Sequence, residues 1–315
     1  MWLWLAVVLV GLWLLWRWHR EQQMVPGLSE KFVLITGCDS GFGNLLARQL
    51  DAQGLQVLAG CLTEAGATQL RVVTSQRLQT VLLDVTSSSS IAAATAWVQE
   101  RVGDRGLWGL VNNAGIAVPS APNEWLTKDD FVKVLNVNLV GLIEVTLSLL
   151  PLVRRARGRV VNVASVMGRL SSFGGGYCPS KYGVEAFSDS LRREMQPFGV
   201  KVSIMEPGNF QTAIINPVAV TAELERLWAQ LPAETQAAYG HHYLETYARR
   251  STLLYRLGSS RLSLVTSCLK HALLARCPRS RYTAGWDACL ALLPLSYCPA
   301  WLSDTIITFF LPSPA

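Results

Sequence analysis

Residues 32–50 read FVLITGCDSGFGNLLARQL, and this stretch constrains the fold more than any other. The unbroken apolar run Phe32–Thr36 has the length and β-branched content of a buried strand. GCDSGFG (37–43) follows, and then the apolar periodicity of a helix. Strand, glycine turn and helix start make the context that a phosphate-cradling loop requires. In this reading Gly37 permits the sharp turn, Gly41 lets the backbone approach a pyrophosphate, and Gly43 allows close helix packing. Asp39, Ser40 and Phe42 complete the loop, and the helix N-terminus presents free N–H groups to phosphate oxygens. The spacing is Gly-x-x-x-Gly-x-Gly, not the G-x-G-x-x-G of two-domain dehydrogenases.

Apolar strand-like runs then alternate with helical stretches. Strands are expected at Val57–Ala59, Thr80–Asp84, Leu107–Asn112, Arg159–Val163 and Val200–Met205, and helices from near Ser40, Ser88, Asp129 and Tyr177. That alternation predicts a parallel sheet covered by helices on both faces, a Rossmann-type doubly wound α/β fold. At 315 residues and 50% hydrophobic, the chain can bury one large core, and no repeat or long linker divides it.

In YCPSK, Tyr177 and Lys181 lie four residues apart, one helical turn, so phenol and ammonium share a helix face. A lysine charge beside a tyrosine favours phenolate and lowers its pKa from about 10. A phenolate can take an alcohol proton as a hydride leaves the same carbon. Ser165, twelve residues upstream, can steady the substrate oxygen. Alone, Y-x-x-x-K is a frequent chance pattern on helix surfaces. LVNNAG (110–115) and EPGNFQT (206–212) change its weight, because all these motifs stand in one order.

Taken together, TGxxxGxG, NNAG, Ser–Tyr–Lys and PG…T resemble the classical short-chain dehydrogenase/reductase family, over residues 30 to about 285. ITGCDSGFGNLLARQL, LLPLVRRARGRVVNV and RYTAGWDA are similar to its microsomal retinol and 3α-hydroxysteroid dehydrogenases. The resemblance implies that Ser165, Tyr177 and Lys181 are catalytic. It makes Asn138 the helix asparagine that holds a water on the lysine relay, with Asn136 as the competing candidate. Asn112, Ala114 and Gly115 would support the cofactor and the central sheet. Asp84 would contact the adenine, unless it merely caps the next helix. Pro207, Gly208 and Thr212 would flank the nicotinamide. Ala164, where such proteins commonly carry a serine, and Pro179 inside YCPSK are departures, and neither removes a catalytic group. The implied reaction is hydride transfer between NAD and a lipophilic alcohol, retinol to retinal, with a 3α-hydroxysteroid as the alternative substrate. A non-catalytic, membrane-anchored nucleotide-binding scaffold is the reading of a different class, and retention of all three catalytic groups speaks against it.

Cofactor choice rests on one charge. The second strand ends AGCLT (59–63), with neither an acid nor an arginine to read the ribose 2′ position, and Glu64 comes late. Asp39 is then the group that would repel a 2′-phosphate and favour NAD, although it could also cap the helix beginning near Ser40.

Residues 1–20 form an appended segment. Trp2–Trp16 carries no charge, and Arg17 and Arg20 follow it. Fifteen helical residues reach only about 22 Å of a roughly 30 Å hydrocarbon core, and Trp4, Trp13, Trp16 and Trp18 would extend the segment at the interfaces. A cleaved signal peptide would carry its charge first and small residues at the cleavage site. The segment therefore reads as an uncleaved anchor. Arginines on its C-terminal flank predict a cytosolic catalytic domain on the endoplasmic reticulum membrane.

The domain proper spans 29–287. Its substrate segment, about 209–255, offers Phe210, Ile214, Ile215, Leu227, Trp228 and Tyr243 as apolar lining. Residues 288–315 are apolar but broken by Pro294, Pro299 and Asp304, and suit an interfacial pair of helices or a wall over the cleft better than a second span. The seven cysteines show no zinc spacing, and the four histidines suggest no metal site. The net charge of +6 comes without a nucleic-acid fold signal, so no nucleic acid is expected; anionic lipid is favoured over nucleic acid as its partner, and an ordinary solvated face over either. Homo-oligomerisation stays open.

Overall fold

The computed structural model describes residues 2–314, without the side chains of residues 3, 6, 7, 14, 18 and 215. The roles expected of the Trp18 and Ile215 side chains therefore lie outside the described residues. Seven parallel strands form one sheet in the order β3-β2-β1-β4-β5-β6-β7. They are β1 (Phe32–Thr36), β2 (Gln56–Cys61), β3 (Gln79–Leu82), β4 (Gly109–Asn112), β5 (Arg159–Val163), β6 (Lys201–Pro207) and β7 (Arg281–Ala284). The order reverses between β1 and β4, which opens a crevice at their carboxyl ends, where doubly wound sheets bind ligands. This is the expected Rossmann-type fold.

Alternation along each strand explains the two layers of helices. Val33 and Ile35 of β1 point into a core shared with α2 (Gly41–Ala52) and α11 (Ser263–Leu274). Phe32 and Leu34 point the other way, into a core built with α4 (Ser88–Val102) and α6 (Gly141–Arg155). Each large side chain buried there contributes about 2 kcal/mol. α3 (Glu64–Val72) connects β2 to β3, and α5 (Lys128–Leu135) leads through a π-helical turn, Asn136–Val140, into α6. α7 (Tyr177–Met195) runs from the catalytic edge back down the sheet. Side-chain caps fix several of these starts: Thr63 caps α3, Ser87 caps α4, and a Thr127–Asp130 capping box opens α5.

Between β6 and β7 the chain inserts α8 (Pro217–Gln230), α9 (Ala233–Tyr239) and α10 (His241–Leu257), and after β7 a π turn (Ala288–Leu292) precedes α12 (Leu293–Leu295) and α13 (Ala300–Phe310). β7 was not anticipated from the sequence. Its four residues are too few to show a pattern, and they are held by Arg281, whose guanidinium pairs with Glu185 and Asp189 of α7 and Glu206 of β6. Burial, and then the neighbouring Glu206 carboxylate, push Glu185 up to about 7.

The continuous stretch Lys128–Arg155 is long and apolar enough to cross a membrane. It is a core element, because Leu142, Val145, Leu149 and Leu152 are buried within the domain. α1 (Trp2–Gln22) differs: Trp4, Leu9, Leu12, Trp13 and Trp16 all project into solvent. Its last turn is bolted to the domain. Glu21 pairs with Arg17 and Arg279, the Val25 N–H donates to Leu274 O at 2.8 Å, and Arg276 N–H donates to Gln23 O at 2.7 Å.

Candidate active site

The glycine loop closes over the end of β4. Gly37 has φ +70°, and a Cβ there would come within 2.8 Å of Ala114 Cα. Gly41 has φ +62° and meets nothing nearer than Thr212 Cγ2, at 3.9 Å from its hypothetical Cβ. Thr212 therefore borders the loop at ordinary van der Waals distance from where a Gly41 side chain would stand. A Cβ at Gly43 would strike Gly37 O and Asn113 Nδ2, both at 2.5 Å. Ser40 gives α2 no side-chain cap, so the first N–H groups of the helix are not taken up by it. An uncapped N-terminus behind a glycine floor fits a pyrophosphate.

Two loop-fixing residues escaped the sequence reading. Thr36 Oγ1 accepts from the N–H groups of Asn113 and Ala114, and Asn113 Nδ2 donates to the carbonyls of Thr36 and Gly37. The second asparagine of NNAG was their only signal. Asn112 supports the sheet and not the crevice, since its Nδ2 donates inward to Thr146 Oγ1 and Asn162 Oδ1, both at 2.8 Å.

Asp39 does not cap α2. Its carboxylate crosses to the end of β2, accepting from Leu62 N–H at 2.8 Å, Thr63 N–H at 3.0 Å and Thr63 Oγ1 at 2.8 Å. The acid missing from the end of the second strand is thus supplied from the loop. Asp84 is not a helix cap either. Its Oδ1 accepts from the N–H and hydroxyl of Thr86 in a local turn just past β3, while Ser87 caps α4.

β5 ends beside the catalytic groups. Ser165 Oγ donates to Pro207 O at 3.4 Å and accepts from Met167 N–H at 3.1 Å. Lys181 is 4% exposed, and its Nζ donates to Val163 O at 2.8 Å and lies 5.6 Å from the Tyr177 ring centre. Pro179 falls in the first turn of α7, where a missing N–H costs nothing. Asn138 is fully buried. Its Oδ1 accepts from Ile116 N–H, and its Nδ2 donates to Ile116 O and to Ser180 Oγ. The π turn turns Asn138 inward and leaves Asn136 exposed, which decides between the two. A Cβ at Gly115 would lie 3.2 Å from Asn138 Oδ1 and 3.7 Å from Lys181 Nζ, so these groups share one corner.

One expectation needs correction. The protein's own groups do not lower the Tyr177 pKa; burial pushes it up to about 12, only partly opposed by a hydrogen bond with Ser165. Burial also brings Lys181 down to about 8, partly opposed by the Glu185 charge. Desolvation is the largest cause of both shifts.

Above the site, α8 and α10 close an aromatic cluster with the loop after β4. Trp125 meets Trp228, Tyr239 and Tyr243 with ring centres 5.3–5.8 Å apart. Leu227 joins this cluster. Phe210 does not; it stands edge-on to Phe42 of the loop, with centroids 5.6 Å apart. Trp125 and Tyr247 were not anticipated, because nothing local in the sequence marks them as neighbours.

Ser165, Tyr177 and Lys181 stand beside a glycine loop at the carboxyl ends of a doubly wound sheet, an arrangement suited to hydride transfer, and the comparisons give the class. The short chain dehydrogenase family profile matches residues 31–222, and the chain belongs to that family. It is 60% identical to retinol dehydrogenase 7 of Rattus norvegicus and to retinol dehydrogenase 16 of Homo sapiens, in each case over 100% of this chain and 99% of the relative. It is 58% identical to human 17-beta-hydroxysteroid dehydrogenase type 6 over the same shares. Among solved structures, a short-chain dehydrogenase/reductase of Burkholderia phymatum in complex with NAD shares the fold, with a TM-score of 0.70 at 21% identity over 90% of this chain and 96% of that one.

Proposed function

We propose that the protein oxidises a lipophilic alcohol with NAD, retinol to retinal foremost, while held to a membrane by α1. The observation that carries the reading is the convergence of Ser165, Tyr177 and Lys181 beneath an aromatic cap, beside a glycine floor and an uncapped helix start. Relatives named as retinol dehydrogenases match the chain end to end.

In this reading the phosphates rest on the N–H groups of residues 41–43, and Asp39 and Asp84 lie along the adenosine side. Pro207, Gly208 and Thr212 border the nicotinamide. Ser165 holds the substrate oxygen and Tyr177 takes its proton. Lys181 stabilises the resulting phenolate, while Asn138 fixes the corner that holds the lysine. NAD held by these residues would supply the hydride acceptor and a positive charge that also favours the phenolate. Asp39 supports NAD over NADP, since a 2′-phosphate beside its carboxylate would be repelled with no loop arginine or lysine to offset it.

A hydroxysteroid is the second reading, favoured by the relative named for that activity. α1 is the proposed anchor and residues 288–315 a second membrane contact, because Trp301, Phe309 and Phe310 stand exposed there. The basic flank of α1 supports a cytosolic catalytic domain on the endoplasmic reticulum. A turnover panel of retinol isomers and androstanediol, each with NAD and NADP, tests the assignment. Oxidation of one class with NAD is the expected result, and turnover of neither would refute it.

A further inference from the structure

α10 carries one apolar stripe through two environments. Tyr243, Leu244 and Tyr247 are 8%, 5% and 9% exposed, sealed against the aromatic cluster over the site. Helical geometry places Leu254 and Leu257 on the same stripe, two to three turns further on, where they are 59% and 61% exposed. Leu253 beside them is also bare, at 53%. A helix that continues its apolar face past the end of its core requires a partner for that face.

Charge identifies the partner. Residues 249–261 read RRSTLLYRLGSSR, with four arginines and no acid. Arg249, Arg256 and Arg261 are exposed. A symmetric second copy meeting through this same segment would bring arginines near arginines with no acid between them. Anionic headgroups above a hydrocarbon layer match both the leucines and the arginines. Arg250 Nη1 donates to Phe310 O at 2.7 Å, which joins this surface to the exposed aromatic residues of α13. Residues 258–262 and α11, about 18 Å long, connect the end of α10 to Leu274, where the chain after α1 is fastened.

We propose that the second half of α10 lies in the membrane interface and forms a lipid-side gate, through which substrate passes from the bilayer into the cleft. The proposal rests on the lipophilic-alcohol reading above. The far end of this helix is stitched to the site: Gln211 Nε2 donates to Arg256 O at 3.2 Å, and Ser259 N–H donates to Asn209 O at 2.9 Å, two residues beyond Pro207. One helix would thus meet lipid with its outer half while its inner half packs against Trp125 of the loop after β4.

The test uses the full-length protein in phosphatidylcholine–phosphatidylserine vesicles containing a phospholipid with a photoreactive acyl chain. Labelling of residues 249–261 is expected, with its loss in the variant Leu253→Gln/Leu254→Gln/Leu257→Gln. The same variant should raise KM for vesicle-borne retinol at least about fivefold, a change near 1 kcal/mol. A short water-soluble alcohol should be turned over as by the unaltered protein. Label confined to α1 and the tail, protein–protein crosslinks through 249–261, or equal loss with both alcohols would each overturn the proposal. Failure to oxidise any alcohol would refute the enzymatic reading, while the lipid labelling would still decide the gate.

Discussion

Tyr177 and Lys181 set a requirement that other parts of the site must meet. Bringing a phenol from about 12 to a working pKa near 7.5 takes about 6 kcal/mol. The Lys181 ammonium, 5.6 Å from the ring centre, acts in that direction, as would the positive charge of a bound oxidised nicotinamide. Lys181 has a folded pKa of about 8, below its unfolded value near 10.4, so the ammonium is present below pH 8 and lost as pH rises through it. kcat/KM for alcohol oxidation should accordingly fall above about pH 8, and Lys181→Arg, slower but charged throughout, should lack that limb; a limb unchanged in the arginine variant would place its cause elsewhere. The same desolvation costs stability below pH 8, a cost that lifts between about 8 and 10.4. Asp39→Ser should narrow the preference for NAD, chiefly by improving NADP binding measured by titration. Equal kcat/KM for the two cofactors in the unaltered enzyme would contradict that role.

Among the elements, β7 fastens the catalytic helix. Arg281→Ala would leave Glu185 and Glu206 buried without their shared cation, and should lower unfolding free energy by about 3–5 kcal/mol in denaturant titrations. A loss below about 1 kcal/mol would show that Arg169, which also pairs with Glu206, suffices to hold the cluster. The elements differ in how far the sequence reveals them. β1 and β5 fall on the expected residues, β1 because a continuous apolar run marks a strand buried on both faces and β5 because three valines carry the strand signal around Asn162. α7 begins at Tyr177, and α5 begins one residue before the expected Asp129, where its Thr127 cap dictates. β7 escapes because its place depends on an ion-pair cluster assembled from three other segments. At the site, the glycine loop and Ser–Tyr–Lys are readable as local spacings. The crossing of Asp39 to β2, the Thr36–Asn113 clasp and the Trp125–Tyr243 contact are not, since each joins residues brought together only by the sheet order.

For the molecule as a whole, α1 exposes its described large apolar side chains from Trp2 to Trp16 and is fixed at its base. Removing residues 1–20 spares the Glu21–Arg279 pair, so the catalytic domain should remain folded while alkaline-carbonate washing releases more protein from membranes. Release should be partial, because α10 and the tail retain their own apolar surface, and complete retention would make those segments the principal anchor. The central claim is that a lipophilic alcohol loses hydride to NAD as Tyr177 takes its proton. The most direct measurement is NADH production from all-trans-retinol by membrane-embedded protein, compared with Tyr177→Phe, which keeps the ring and loses the transferable proton. Turnover by the unaltered protein that falls at least about a hundredfold in the variant, with NAD binding retained, is the predicted result. A phenylalanine variant that keeps most of its turnover would contradict the account.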